Sequence, residues 1–212
     1  MWVIIGKAFW QTLIMVFFST LFSVIIGIIP AVVLTLTAPD GLRPKPVVYS
    51  TLSFIVNVFR SFPFIILMIL VIPLTRMMVG KAIGTTAAIV PLTISAIPFV
   101  ARVMESALRE VDPGLIEAAR SFGASEIQIF HRVYFKEALP SLLSGVVLTM
   151  ISLVGYSAMG GAIGAGGLGD VAIRYGYQGY RMNYLIATSA VLIVFVQFVQ
   201  AIGNRVYNRL SR

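Results

Sequence analysis

Long apolar stretches divided by short polar ones dominate this chain. A membrane-spanning helix needs about 20 mainly apolar residues to cross about 30 Å of hydrocarbon. Five stretches of that kind stand between the charges, at residues 8–36, 48–73, 85–103, 139–159 and 183–206. The first carries no charge between Lys7 and Asp40, so it is long enough to span with tilt or to run past the bilayer, with Pro30 placed to kink it. The second holds Arg60 and Pro63 near its middle, and the third contains Pro91 and Pro98. All three of those prolines are expected to break helices, because each lacks the N–H that a helix interior uses. No repeat, low-complexity segment or linker divides the spans. The expected fold is therefore an all-α integral membrane protein with five transmembrane helices, a single domain over residues 1–212. The opening Met1-Trp2-Val3-Ile4-Ile5 runs on into a full-length span without the basic start and short apolar core of a cleaved leader, so the start is expected to be retained.

Composition agrees with the pattern: 58% of the 212 residues are hydrophobic, 11% are charged, and the mean hydropathy is +0.95, whereas soluble domains carry about a quarter charged residues. Sixteen Lys and Arg against eight Asp and Glu leave a net charge of +8. In a soluble chain that excess points to nucleic acid; here it is assigned to cytoplasmic loops, with lipid and no nucleic acid as partner. Lys and Arg favour the cytoplasmic side. Placing the segment after the third span inside groups Arg43, Lys45, Arg102, Arg109, Arg120, Arg132, Lys136, Arg205, Arg209 and Arg212 there, and leaves Lys7, Arg76, Lys81, Arg174 and Arg181 outside. The N-terminus is then external and the C-terminus cytoplasmic. The absence of Cys excludes disulfides, thiolate metal sites and a Cys nucleophile, and the single His131 excludes any constellation of two imidazoles.

The most polar stretch, residues 102–137, reads as two short helices with explicit signals. Asp112-Pro113 fits an N-cap followed by proline at the first helical position, and Gly123 fits the left-handed position that ends a helix. Ser125-Glu126-Ile127-Gln128 has the spacing of a capping box. Leu115, Ile116, Ala119, Phe122, Ile127, Phe130 and Val133 supply the apolar positions. The bland alternative is a solvated basic connection between two spans.

Within this stretch, Glu117-Ala118-Ala119-Arg120-Ser121-Phe122-Gly123 resembles the EAA motif of ABC importer permeases. The motif's usual tail is met only at Val133, with Phe135-Lys136 standing where Leu-Pro is expected. The resemblance continues through Phe59-Arg60-Ser61-Phe62-Pro63-Phe64-Ile65-Ile66-Leu67, Ala88-Ile89-Val90-Pro91-Leu92-Thr93 and Leu153-Val154-Gly155-Tyr156-Ser157-Ala158-Met159-Gly160-Gly161. Together these strings are similar to the methionine importer permeases over nearly the whole chain. The resemblance implies a permease of the bacterial cytoplasmic (inner) membrane, not an enzyme, that moves methionine by alternating access. It implies a second copy of the chain, two ATPase subunits that hold ATP and Mg, an extracytoplasmic substrate-binding lipoprotein, and no cofactor in this chain. Glu117, Ala118, Ala119 and Gly123 would then form the coupling helix that docks on the ATPase.

Other residues are weighed against ordinary roles. Arg60 near the centre of a span costs at least about 2.5 kcal/mol unless it faces a pathway or a partner. With no acidic residue inside any expected span, its partner is a carbonyl, a polar side chain such as Asn57, or substrate. The glycine-rich run at 155–169 is no phosphate cradle, since no Gly-Lys-Ser/Thr follows. It is expected to allow close packing and a re-entrant or flexible external loop, which places Tyr156, Ser157 and Met159 near the gate of the pathway, where the Met thioether offers soft contact. An intramembrane serine hydrolase would need a His beside Ser157, and His131 falls on the opposite membrane face. Tyr175, Tyr177, Tyr180 and Tyr184 read as interfacial anchors. The alternatives to methionine import are another amino acid or a methionine analogue as cargo, and a nucleotide-independent channel or scaffold.

Overall fold

The computed structural model describes residues 1–211; Arg212, counted above with the cytoplasmic charges, lies outside them. Its helices are α1 Trp2–Thr37, α2 Pro46–Arg60, α3 Phe64–Leu70, α4 Ile72–Val79, α5 Thr85–Arg109, α6 Pro113–Ser121, α7 Glu126–Ile129, α8 Phe135–Glu137, α9 Leu139–Gly160, α10 Gly167–Val171 and α11 Met182–Leu210. Four of them, α1, α5, α9 and α11, are long and apolar enough to cross a bilayer unbroken.

The second expected span is not one straight helix. Between α2 and α3 the chain bends by 97°. The Ser61 and Phe62 N–H groups close the end of α2 on the carbonyls of Asn57, Val58 and Phe59, and Pro63, without an N–H, cannot continue that ladder and instead starts α3. Pro91 and Pro98 behave otherwise. Both lie inside α5, which stays helical from Thr85 to Arg109, and Pro30 lies inside α1 in the same way. Both helices are packed along their length, and neighbours and local adjustment let buried helices tolerate proline. The break at Pro63 stands where α2 is mostly exposed, with Val56 its only buried residue.

The longest interface is between α1 and α5, with α9 packed against both and α11 against α9. Small residues permit these crossings. A Cβ on Gly27 of α1 would lie 2.7 Å from the Val100 side chain of α5, and one on Gly203 of α11 would lie 2.7 Å from Val147 of α9. Two apolar clusters fill the bundle. One centres on Met15, Val16, Leu92 and Leu153; the other, on Val100, Met104, Leu108 and Ile129, anchors the polar segment beneath it.

α1 spans 36 residues, about 54 Å at about 1.5 Å per residue, and so runs well past the hydrocarbon. Its end returns to α2 through residues 38–45, where the Gly41 N–H donates to the Ala38 carbonyl at 2.9 Å and the Arg43 N–H to the Leu36 carbonyl at 2.9 Å.

Candidate functional site

The polar segment forms as its signals predict. The Asp112 carboxylate accepts from the Gly114 N–H at 2.8 Å, and Pro113 opens α6. Gly123 takes a φ of +76°, donating to the Arg120 carbonyl while the Ala124 N–H reaches back to Ala119. This closes the orphan carbonyls of the last turn. The Ser125 and Gln128 side chains complete a reciprocal capping box, accepting from each other's backbone N–H at 3.4 Å and 2.9 Å. From there the helix passes through a π-helical turn, Phe130–Tyr134, into α8 and α9.

These caps hold up a surface that the rest of the chain leaves uncovered. No residue of α6 is buried. Phe122 is 90% exposed and Ile127 72%, so two of the apolar positions of the segment face solvent, while Ile116, Ala119, Phe130 and Val133 pack onto the core. Glu117 and Ala118 lie on the exposed side, Ala119 is half-buried beneath them, and Gly123 has open space where a Cβ would be. An ion pair from Arg43 to Glu126 ties the segment to the α1–α2 connection. Tyr134 beneath it is buried, and burial together with the charge of Asp40 raises its hydroxyl above the ordinary tyrosine value.

The residues assigned to a pathway are dispersed. Arg60 ends α2 at the bend, exposed, and takes part in none of the ion pairs among the described residues. Asn57, weighed above as its partner, accepts instead from Arg102 at 3.0 Å. Tyr156 stacks on Phe64, the first residue after the bend, with centroids 4.9 Å apart and planes at 11°. Met159 is 48% exposed. Ser157 is buried, its hydroxyl donating to the Val154 carbonyl of its own helix at 2.8 Å. That bond and the distance to His131 leave no activated nucleophile.

Two features escaped the sequence pattern. The glycine run folds back as an ordered hairpin on α1, where the Gln11 side chain accepts from the Gly167 N–H at 3.0 Å and the Thr12 hydroxyl from the Leu168 N–H at 2.9 Å. Gln11 and Thr12 are two of several polar residues in that stretch, beside Ser19, Thr20, Ser23 and Thr35, so the sequence did not single them out. The hairpin also divides the tyrosines: Tyr184 is buried and stacks on Tyr175, whereas Tyr177 and Tyr180 stay exposed. The second missed feature is a buried acid. α5 runs past the expected end of the third span, so Glu105 lies inside the helix at 2% exposure, paired with Arg102 at 2.7 Å.

A bundle of apolar helices that presents a capped, exposed polar segment at one end is the architecture of a membrane permease. The chain belongs to the family described as binding-protein-dependent transport system inner membrane component, which it matches over residues 23–212; it is a multi-pass inner-membrane permease and not the ATPase. It is 50% identical over 204 residues to the probable D-methionine transport system permease protein MetI of Vibrio cholerae, covering 96% of this chain and 91% of that one. It is 42% identical over 212 residues to the protein of the same name from Haemophilus influenzae, covering 100% and 99%. A chain from the MetNI methionine ABC transporter in an inward-facing conformation superposes with a TM-score of 0.97 at 46% identity, covering 100% of this chain and 98% of that one. An amino acid ABC transporter crystallised with histidines shares the fold, with a TM-score of 0.80 at 22% identity over 97% and 94% of the two chains.

Proposed function

We propose that this chain is the permease subunit of an ATP-driven ABC importer for methionine, in its L and D forms, working as a pair of copies on two ATPase subunits. The observation that carries the reading is the exposed loop: Glu117, Ala118, Ala119 and Gly123 stand on a surface that its own fold caps but does not cover. The methionine transport relatives supply the cargo.

In this reading residues 102–137 are the coupling loop of a single permease domain, cytoplasmic like the C-terminus, with the N-terminus and the glycine hairpin outside. An extracytoplasmic binding protein delivers methionine to that outer face. ATP and Mg sit on the ATPase subunits and drive them together. The docked loops move with them, and the permease pair alternates between inward-open and outward-open states. Arg60, Tyr156, Ser157 and Met159 are assigned to the pathway and its gate. The 97° bend supports that assignment for Arg60 and for Tyr156, which stacks on Phe64 just beyond it. Small Ala residues allow a close approach at the loop, and Glu117, midway along α6 on its exposed side, presents a carboxylate that accepts hydrogen bonds from a docked subunit.

The test is ATP-dependent uptake of labelled methionine in cells lacking their own importers, expressing the chain with its genomic ATPase and binding-protein partners. Glu117→Ala is expected to lower uptake by roughly 5-fold or more, the lower range for a lost coupling free energy. No methionine uptake with the ATPase still copurifying moves the cargo to another amino acid, which competition with unlabelled amino acids then identifies.

A further inference from the structure

Polar side chains are scarce in the spans, and two sets of them face each other. On α2, Tyr49, Ser53, Asn57 and Arg60 recur every three or four residues, which sets them on one stripe of the helix. On α5, Arg102, Glu105 and Arg109 do the same. The stripes meet side chain to side chain. Arg102 donates to the Ser53 hydroxyl at 2.7 Å, the Asn57 amide oxygen at 3.0 Å and the Glu105 carboxylate at 2.7 Å. One helical turn beyond Glu105, Arg109 donates to both oxygens of Asp40 at 2.9 and 3.0 Å and to the Tyr49 hydroxyl at 3.4 Å. Glu105 sits between the two arginines. Its Oε2 takes Arg102, while its buried Oε1 accepts no hydrogen bond and stands 3.9 Å from Arg109.

Apart from this ladder, α2 is held by a small apolar cluster in which its Val56 meets Ala101 of α5 and Leu34 of α1, with Tyr49 and Leu52 packed against it. α5, by contrast, leads directly into the coupling loop, with only Glu110, Val111 and Asp112 between Arg109 and the start of α6 at Pro113. An ionised group buried in a span is expensive and marks function, and well-packed apolar residues would hold two helices together at lower cost. What the ladder adds is direction. An arginine fork satisfied by three groups on two helices locks their relative position, which a smooth apolar contact leaves free to slide.

We propose that Arg102, Glu105 and Arg109, at the α5 end of the 102–137 segment, are positioning residues that yoke α2 to its docking helix α6. When the loop is displaced, α2 and its Arg60 end then move with α5 as one body. The proposal rests on the importer reading above.

The experiment uses the complete complex of this chain with its ATPase and binding protein in proteoliposomes, and measures methionine uptake and ATP hydrolysis in the same sample. In the doubly neutral R102Q/E105Q variant no unpaired buried charge remains. It is expected to copurify the ATPase and hydrolyse ATP, with methionine moved per ATP reduced roughly 5-fold or more. Arg102→Lys, a point charge that cannot satisfy three acceptors together, should fall between that variant and the wild type. An assembled R102Q/E105Q complex with the wild-type ratio overturns the yoke. If that variant fails to assemble, S53A/N57L, which removes the side-chain acceptors of Arg102 on α2 and leaves only the Ser53 carbonyl at 3.4 Å while keeping the Arg102–Glu105 pair, is judged by the same ratio. Failure of the importer reading shows separately, as a wild-type complex without ATP-driven methionine uptake.

Discussion

The two ends of α9 are built from similar parts and finished differently. The polar segment on one side and the glycine hairpin on the other each hold a short helix near a π-helical turn, Phe130–Tyr134 in one and Ala172–Tyr177 in the other. In the hairpin, Gly167, Leu168, Gly169 and Val171 of α10 are all buried, and α1 caps the backbone N–H groups at its start. In the polar segment α6 buries nothing, and its caps come from its own residues. The hairpin is held by tertiary contacts. The polar segment takes its caps from local hydrogen bonds and is anchored from beneath by Ile116, Ala119, Ile129 and Val133, which lets it keep its shape while its outer face stays exposed.

Three substitutions probe that contrast, from the largest effect on stability to the smallest. Gly169→Val should abolish the hairpin. A Cβ there would lie 2.2 Å from the Ala158 carbonyl oxygen, and such overpacking against backbone is expected to cost about 3 kcal/mol or more. The check is the melting temperature of the purified, detergent-solubilised chain, and a melt like the wild type would show that the hairpin is not part of the cooperative core. Gly123→Val meets open space but a φ of +76°, so it carries only the left-handed penalty of about 1–2 kcal/mol. Hydrogen exchange should rise across residues 113–129 with the spans unchanged, and ATP hydrolysis should become uncoupled from uptake. Phe122→Ala removes a side chain that is 90% exposed and should shift the melt by no more than about 0.5 kcal/mol equivalent. Its effect belongs to the complex: weaker retention of the ATPase subunit on copurification. A destabilised chain with normal ATPase retention would mean that Phe122 serves the fold instead.

The same division explains what could be read in advance. Five apolar stretches, an Asp-Pro start, a Ser-x-x-Gln box and a glycine stop are local signals, and each acts through backbone hydrogen bonds within a few residues. The local structure of the polar segment was therefore legible almost residue by residue, from the Asp112 cap to the left-handed Gly123 and the Ser125 box. Burial was less so. Phe122 and Ile127 carry apolar patterning that suits a core or an interface equally, and their exposure follows only from where α6 leaves the bundle. Proline was ambiguous for a similar reason. Pro63 bends the chain, while Pro91 and Pro98 sit inside a continuous α5, and the difference lies in how many neighbours pack around each helix.

From the sequence by itself came the membrane class, the number of apolar stretches, the capped polar loop and the resemblance to methionine importer permeases, because hydropathy and capping act along the chain. Tertiary structure alone decided the bend after α2, the burial of Glu105 between Arg102 and Arg109, and the docking of the glycine hairpin on Gln11 and Thr12. Those pairings join residues up to 156 positions apart, and their energies depend on which desolvated groups the packed helices bring within hydrogen-bond reach.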